Sequence, residues 1–319
     1  MTKVAASLAA VLLALAVAGC GEDGAEPGAP QRATLVLDFT PNAVHAGIYS
    51  ALRRGYYREA GVRLDVREPS ASTDAPKLLE AGRAEFAILD IHDLGIARER
   101  GLDVVGIYPL VTRPLASVIA RGDGPVRRPR DLERRTVGVT GLPSDDAVLD
   151  SELEADGAHP SQVKRVTIGF AAVASLAAGR IDAATGFWNA EAVALRRQGV
   201  PVRVFKVDRY GAPRYPELVI CTSRRTIDAS PELVNSLRDA TARGIRLARS
   251  RPGAALDDLL AENPELDRGE QGEELRALQP ALRGSPDALD LEGWGAWDVR
   301  YGILRRRPEV QETFSFAGS

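Results

Sequence analysis

The feature that most constrains this chain is an alternation of apolar runs and helix-like stretches that occurs twice with matching junctions. In the first half, residues 34–37, 61–66, 86–89 and 104–108 are short runs that are apolar or alternate with period two, as strands do. Between them lie helix-like stretches, the first carrying Val44, Ile48, Ala51 and Leu52 on one face behind Asn42, which can cap it. In the second half, strands are expected at 136–139, 163–168, 181–185 and 202–207, with helices at 145–155, 171–178 and 190–198. Residues 79–90 (LEAGRAEFAILD) and 176–187 (LAAGRIDAATGF) match in register, each a helix end, a Gly-Arg turn, an acid and a buried strand. A continuous apolar run such as 86–89 suits a parallel strand covered on both faces. The class is therefore α/β, with two similarly built lobes, each a mainly parallel sheet flanked by helices.

The turn-rich segments 120–123 and 211–215 are read as the two crossings between lobes, with a strand at 217–222 rejoining the first sheet. This assigns residues 34–119 and 216–319 to the first lobe and 120–215 to the second. The helical remainder (231–249, 254–260, 270–282 and 294–304) is expected to pack on the first lobe, with Trp294 and Trp297 in its core.

Residues 1–20 carry Lys3 as their only charge, then an Ala- and Leu-rich run ending in Val17-Ala-Gly-Cys20. This has the parts of a secretory signal. Its end resembles the bacterial lipobox, in which the Cys is lipidated; a plain signal that contains a cysteine is the alternative. Residues 21–33 are rich in Gly, Pro and acids and read as a flexible tether. Hydrophobic residues make up 45% of the chain and charged residues 27%, and the net charge is -3. That balance supports ordinary cores and offers no basic face for nucleic acid. Cys221 is left unpaired in an apolar strand, and three scattered His without a Cys pair present no metal spacing, so neither cofactor nor metal is expected.

In an open α/β sheet the strand ends are where polar groups meet a ligand. Those ends carry Asp38 and Asn42, Asp90 and His92, Ser144 and Asp145, and the run Phe187-Trp-Asn-Ala-Glu191. Phe187 and Trp188 can stack a flat ring or serve as core; Asn189, Glu191, Asp38 and Asn42 can accept hydrogen bonds from ring N–H or amine groups. Ser144 can equally be a helix cap. No nucleophile elbow, phosphate loop, paired-His motif or dinucleotide fingerprint is present, which leaves hydrolase, NTPase and dehydrogenase chemistry without residues to carry it.

Several of these segments, taken in order, resemble the NMT1/THI5-like family: Asp38-Phe-Thr-Pro-Asn-Ala-Val-His45, Gly55-Tyr-Tyr, Glu59-Ala-Gly61, Gly186-Phe-Trp-Asn189 with Glu191, and Tyr215-Pro-Glu-Leu218. The resemblance implies the type II periplasmic-binding-protein fold, with a ligand cleft between the lobes. It implies a lipid-anchored, monomeric binding component of an ABC importer, held outside the membrane through Cys20, with a permease and an ATPase as partners. The ligand implied is a thiamine pyrimidine precursor, with riboflavin, sulfonates and taurine as alternatives from neighbouring proteins. Asp38, Phe39, Asn42 and His45 would line one lobe; Phe187, Trp188, Asn189 and Glu191 would line the other, with Asp90, His92, Ser144, Asp145 and Tyr215 nearby. Phe39 stands where the family has Trp, and residues 90–93 are more acidic than a pyrimidine site requires. Family members that synthesise the pyrimidine carry a Cys-rich segment that this chain lacks, which favours binding over catalysis.

Overall fold

The computed structural model describes residues 30–69, 74–283 and 286–316. The signal, Cys20 and most of the tether lie outside them. Ten strands form two five-stranded sheets: β1 Gln31–Val36, β2 Val62–Arg67, β3 Phe86–Asp90, β4 Val104–Pro109, β5 Ala116–Arg121, β6 Thr136–Val139, β7 Lys164–Thr167, β8 Ala183–Phe187, β9 Val202–Lys206 and β10 Leu218–Ser223. The first sheet runs β2-β1-β3-β10-β4 and the second β7-β6-β8-β5-β9. The strands that cross over, β10 and β5, are antiparallel to both of their neighbours. Each lobe is thus a parallel βαβαβ unit completed by one strand inserted from the far side of the hinge, and the two lobes are built alike.

Two boundaries differ from the sequence reading. β1 begins at Gln31, not after residue 33: Gln31 pairs with Val62 in parallel register and its N–H donates to Gly61 O at 2.8 Å. The exposed polar side chains Gln31 and Arg32 look like tether, but main-chain hydrogen bonds to an edge strand do not need apolar side chains. The first crossing also comes earlier than residues 120–123, because β5 already lies inside the second sheet between β8 and β9. Apolar residues at 116–120 report burial; they do not say which sheet does the burying. Glu217 fixes this hinge, its Oε2 accepting the N–H groups of Leu115 at 2.5 Å and Ala116 at 3.1 Å.

The C-terminal helices cover the first lobe, and one of them also enters the core of the second. Pro231–Ser250 crosses Ala46–Arg53 so closely that a Cβ on Gly244 would sit 1.9 Å from Gly47 O. Only a glycine there lets the first helix, and the loop that leads into it, seat against the lobe. Helix Leu291–Arg300 instead serves both lobes, because Trp294 and Trp297 lie one helical turn apart along it. Trp294 is fully buried with Ile91, Leu94 and Phe314 in the first lobe, whereas Trp297 packs with the second-lobe core and donates to Ser151 Oγ at 3.1 Å. Among the described residues no helix is long and apolar enough to cross a membrane.

Candidate functional site

On the first lobe the loop after β1 is rigidly built. Asn42 caps the short turn Ala43–His45, its Oδ1 accepting the Val44 N–H at 3.0 Å, while the Asn42 N–H donates to His45 Nδ1 at 3.2 Å. With Nδ1 accepting, the ring proton sits on Nε2 and is donated to Asp38 Oδ1 at 2.8 Å. His45 is fully buried, so it aims Asp38 rather than meeting a ligand itself. Phe39 is 48% exposed, and its ring centroid lies 5.8 Å from that of Phe170, which projects from the loop after β7 in the opposite lobe.

On the second lobe, Phe187 ends β8 half-buried and its N–H donates to Glu191 Oε2 at 2.7 Å. Burial raises the Glu191 pKa, the Phe187 N–H opposes this, and Asp145 adds to it. Asp145 is itself held in place, its Oδ2 accepting from Thr140 N–H at 2.6 Å and Thr185 Oγ at 2.8 Å. Ser144 is not a cap, since the helix Pro143–Ala155 starts before it with Leu142 at the cap position. Asn189 is 3% exposed and its side-chain oxygen has no partner. Trp188 departs from the stacking role: it is buried in the hinge, its indole N–H donates to Pro114 O at 3.0 Å, and Lys206 Nζ lies 3.6 Å from its ring centroid. The exposed rings are Phe39 and Phe170, while Phe187 keeps part of its surface open and packs the rest against both cores.

The sequence reading missed two first-lobe groups. Gln271 and Glu274, on helix Arg268–Leu282, are buried beside the Asn42 turn, and Ala43 N–H donates to Glu274. Burial, then Glu270, then Glu191 from the opposite lobe push the Glu274 pKa up to about 8. Gln271 bonds Glu274, and its own side-chain oxygen is buried without a partner. Gln271, Glu274, Leu275 and Leu278 fall on one helical stripe, and a glutamine and a glutamate at core positions of an amphipathic helix were the available clue. On the flank, Arg197 of the second lobe reaches Glu273 at 3.0 Å and Asp267 at 2.9 Å. Acids from both lobes therefore converge on one place.

Asp90, His92 and Tyr215 form a separate group at the hinge. Asp90 Oδ1 accepts the His92 N–H at 2.8 Å as a helix cap and bonds the Glu217 side chain. His92 Nδ1 lies 2.8 Å and 3.0 Å from the two oxygens of Asp298, with the Trp294 indole N–H 3.3 Å from the same nitrogen. Burial pulls the His92 pKa down, but Asp298, with Asp90 and Glu217 behind it, more than offsets this and pushes it up to about 10. Tyr215 is fully buried edge-on to His92, centroids 5.1 Å apart, and its hydroxyl has no partner.

The NMT1/THI5-like family model matches residues 42–255. A formylaminopyrimidine-binding protein of Halalkalibacterium halodurans is 31% identical over 265 residues, covering 82% of this chain and 79% of its own length. A 4-amino-5-hydroxymethyl-2-methylpyrimidine phosphate synthase of Saccharomyces cerevisiae is 23% identical, covering 74% and 72%. The periplasmic aliphatic sulphonate binding protein of Escherichia coli shares the two-lobed fold, with a TM-score of 0.73 at 14% identity over 89% of this chain and 92% of that one. The matched span runs from the Asn42 cap through both lobes and the hinge, and this chain belongs to the NMT1/THI5-like family.

Proposed function

We propose that this chain is the substrate-binding component of an ABC importer and captures a small aminopyrimidine, of the thiamine-precursor class, between its lobes. The observation that carries the reading is the pair Glu191 and Glu274: two acids from opposite lobes, both held above the ordinary carboxylate range. With Glu191 raised in the same direction, Glu274, pushed up to about 8, keeps its proton near pH 7, so it can accept a hydrogen bond through C=O and donate one through O–H. That is the complement of an amino group beside a ring nitrogen. The unpartnered oxygens of Asn189 and Gln271 offer two further acceptors for N–H groups. Phe187, Phe39 and Phe170 supply flat apolar surface. Asp38, aimed by His45, is the remaining acceptor at the first-lobe edge.

In this reading the protein works outside the membrane, anchored through Cys20, and hands its ligand unchanged to the permease. Pyrimidine synthases in the same family make catalysis the competing reading. The two are separated by incubating the chain with the pyrimidine and recording the intact masses of chain and ligand, which stay constant for a binding protein. The direct test is a thermal-shift screen of the purified chain with formylaminopyrimidine, hydroxymethylpyrimidine, riboflavin, taurine and an alkanesulfonate. A ligand that binds only the folded state adds about 2.7 kcal/mol at 100 times its dissociation constant. A shift with a pyrimidine that is lost in Glu191→Ala and Glu274→Ala supports the reading. A shift with riboflavin or a sulfonate alone overturns the ligand and keeps the transport class.

A further inference from the structure

We propose that Asp90, His92 and Glu217 bind one divalent transition-metal ion at the hinge, with Asp298 orienting the His92 ring. Ligand atoms of the three residues lie within 4.8 Å of one another. Ligands about 2.0–2.2 Å from a shared ion stand no more than about 4.4 Å apart, so a small inward adjustment brings them to coordination distance. The topology supplies that proximity. β10 runs antiparallel beside β3, with Leu218 paired to Asp90, and this sets Glu217 at the start of one strand against Asp90 at the end of the other.

Three features suit an ion at this place. His92 is 2% exposed, yet its Nε2 has no partner, while Nδ1 is held by both oxygens of Asp298. A ring nitrogen left open while the other is anchored on a carboxylate is the arrangement that fixes a metal-binding histidine. The Tyr215 hydroxyl beside it is likewise buried and unpartnered. Third, the site gathers three carboxylates, Asp90, Glu217 and Asp298, around one imidazole. Asp90 and Glu217 share a side-chain hydrogen bond, whose proton a divalent ion would displace on binding between the same oxygens. One imidazole and two carboxylates suit Zn²⁺, Fe²⁺ or Mn²⁺. The site is distinct from the facing acids of the cleft. Because Glu217 also holds the Leu115 and Ala116 N–H groups, an ion there stiffens the strand that joins the lobes.

The test strips the purified chain with a chelator, titrates it with Zn²⁺, and uses Co²⁺ as a spectroscopic stand-in. One ion per chain is expected by elemental analysis after desalting, with the Co²⁺ visible bands of a nitrogen-oxygen site. His92→Gln and Glu217→Gln remove it, and Asp298→Asn weakens it about 10- to 100-fold. Should a variant fail to fold, the native chain decides: bound Mn²⁺ broadens the Trp294 indole N–H resonance, since that group lies 3.3 Å from the His92 ring. Retention of less than a tenth of an ion per chain, an unchanged affinity in folded Asp298→Asn, or a Trp294 resonance untouched by Mn²⁺ overturns the site.

Discussion

β3 and β8 occupy the same place in their sheets, each flanked by the first strand of its lobe and by the inserted crossover strand. Both follow a Gly-Arg turn, and both end at a helix N-terminus that carries a carboxylate. Yet β3 delivers Asp90 and His92 into a group at the hinge, whereas β8 leads to Glu191, which faces Glu274 of the first lobe. The difference lies in what packs above each strand end. Over β3 lies helix Leu291–Arg300, whose Asp298, Trp294 and Trp297 enclose His92. Beyond β8, helix Arg268–Leu282 of the first lobe packs on the helix that follows the strand, Glu191–Arg197, and its Glu274 feels the Glu191 carboxyl. One backbone device thus serves as a structural joint in one lobe and, in the function proposed above, as a ligand-facing edge in the other.

The largest way to break that contrast is at the joint. His92→Ala leaves the buried Asp298 and Glu217, with Asp90 beside them, without the imidazole they surround, a change that costs about 3–5 kcal/mol. Urea unfolding of the variant measures it. A loss below about 1 kcal/mol would mean that the β3 end is as solvated as the β8 end, and the comparison would fail.

Glu274 tests the other side through pH. Its folded-state pKa stands above the unfolded value, at about 8 against 4.5, so between those limits the folded chain binds more protons than the unfolded one. Stability from this group is therefore greatest below pH 4.5 and falls as pH rises towards 8, by at most about 1.4 kcal/mol per pH unit. The native chain minus Glu274→Gln isolates the term, because other buried acids such as Asp93 contribute equally to both. A difference curve that is flat from pH 5 to 8 removes Glu274 from the buried site. Asn189→Leu is milder. It replaces an unpartnered buried oxygen with apolar surface, so the fold holds or gains up to about 1 kcal/mol while pyrimidine affinity falls about tenfold. Equal affinity in the variant would show that Asn189 faces the core.

The architecture was legible because β-period and helical runs alternate with turn residues between them, and that pattern depends on burial alone. Partnership between distant segments is what periodicity does not carry. The apolar run at 116–120 reads as a strand whichever sheet it joins, so the crossing was placed too late. Glu217 and Asp298, respectively 125 and 206 residues beyond His92, give no spacing that marks them as partners of a lone histidine. The end of β8 at Phe187 was legible because the apolar run and the helix start after it are contiguous. Glu274 was not, because Glu270 and Glu273 on the same helix look identical to it until the helix phase is compared with Leu275 and Leu278. Trp188 shows the opposite error: an aromatic at a strand end suggests a stacking wall, but its indole N–H found Pro114 O and the ring turned into the hinge.

The smallest effect concerns the lip where the two lobes meet. Among the described residues Phe39 and Phe170 are two of the few large apolar side chains left exposed, and their rings touch each other across the cleft, tilted by 41°. A pair of this kind contributes about 0.5–1.5 kcal/mol beyond the area it covers. It forms only when the lobes approach, so it acts on closure and leaves each lobe's own folding unchanged. Phe39→Ala should therefore weaken pyrimidine binding about two- to tenfold with an unchanged midpoint for the ligand-free chain, and Phe170→Ala should do the same. In the double variant the losses should fall short of additive, because either single change already removes the contact. Fully additive losses would mean that each ring meets the ligand separately, and the lip would then belong to the binding surface of its own lobe.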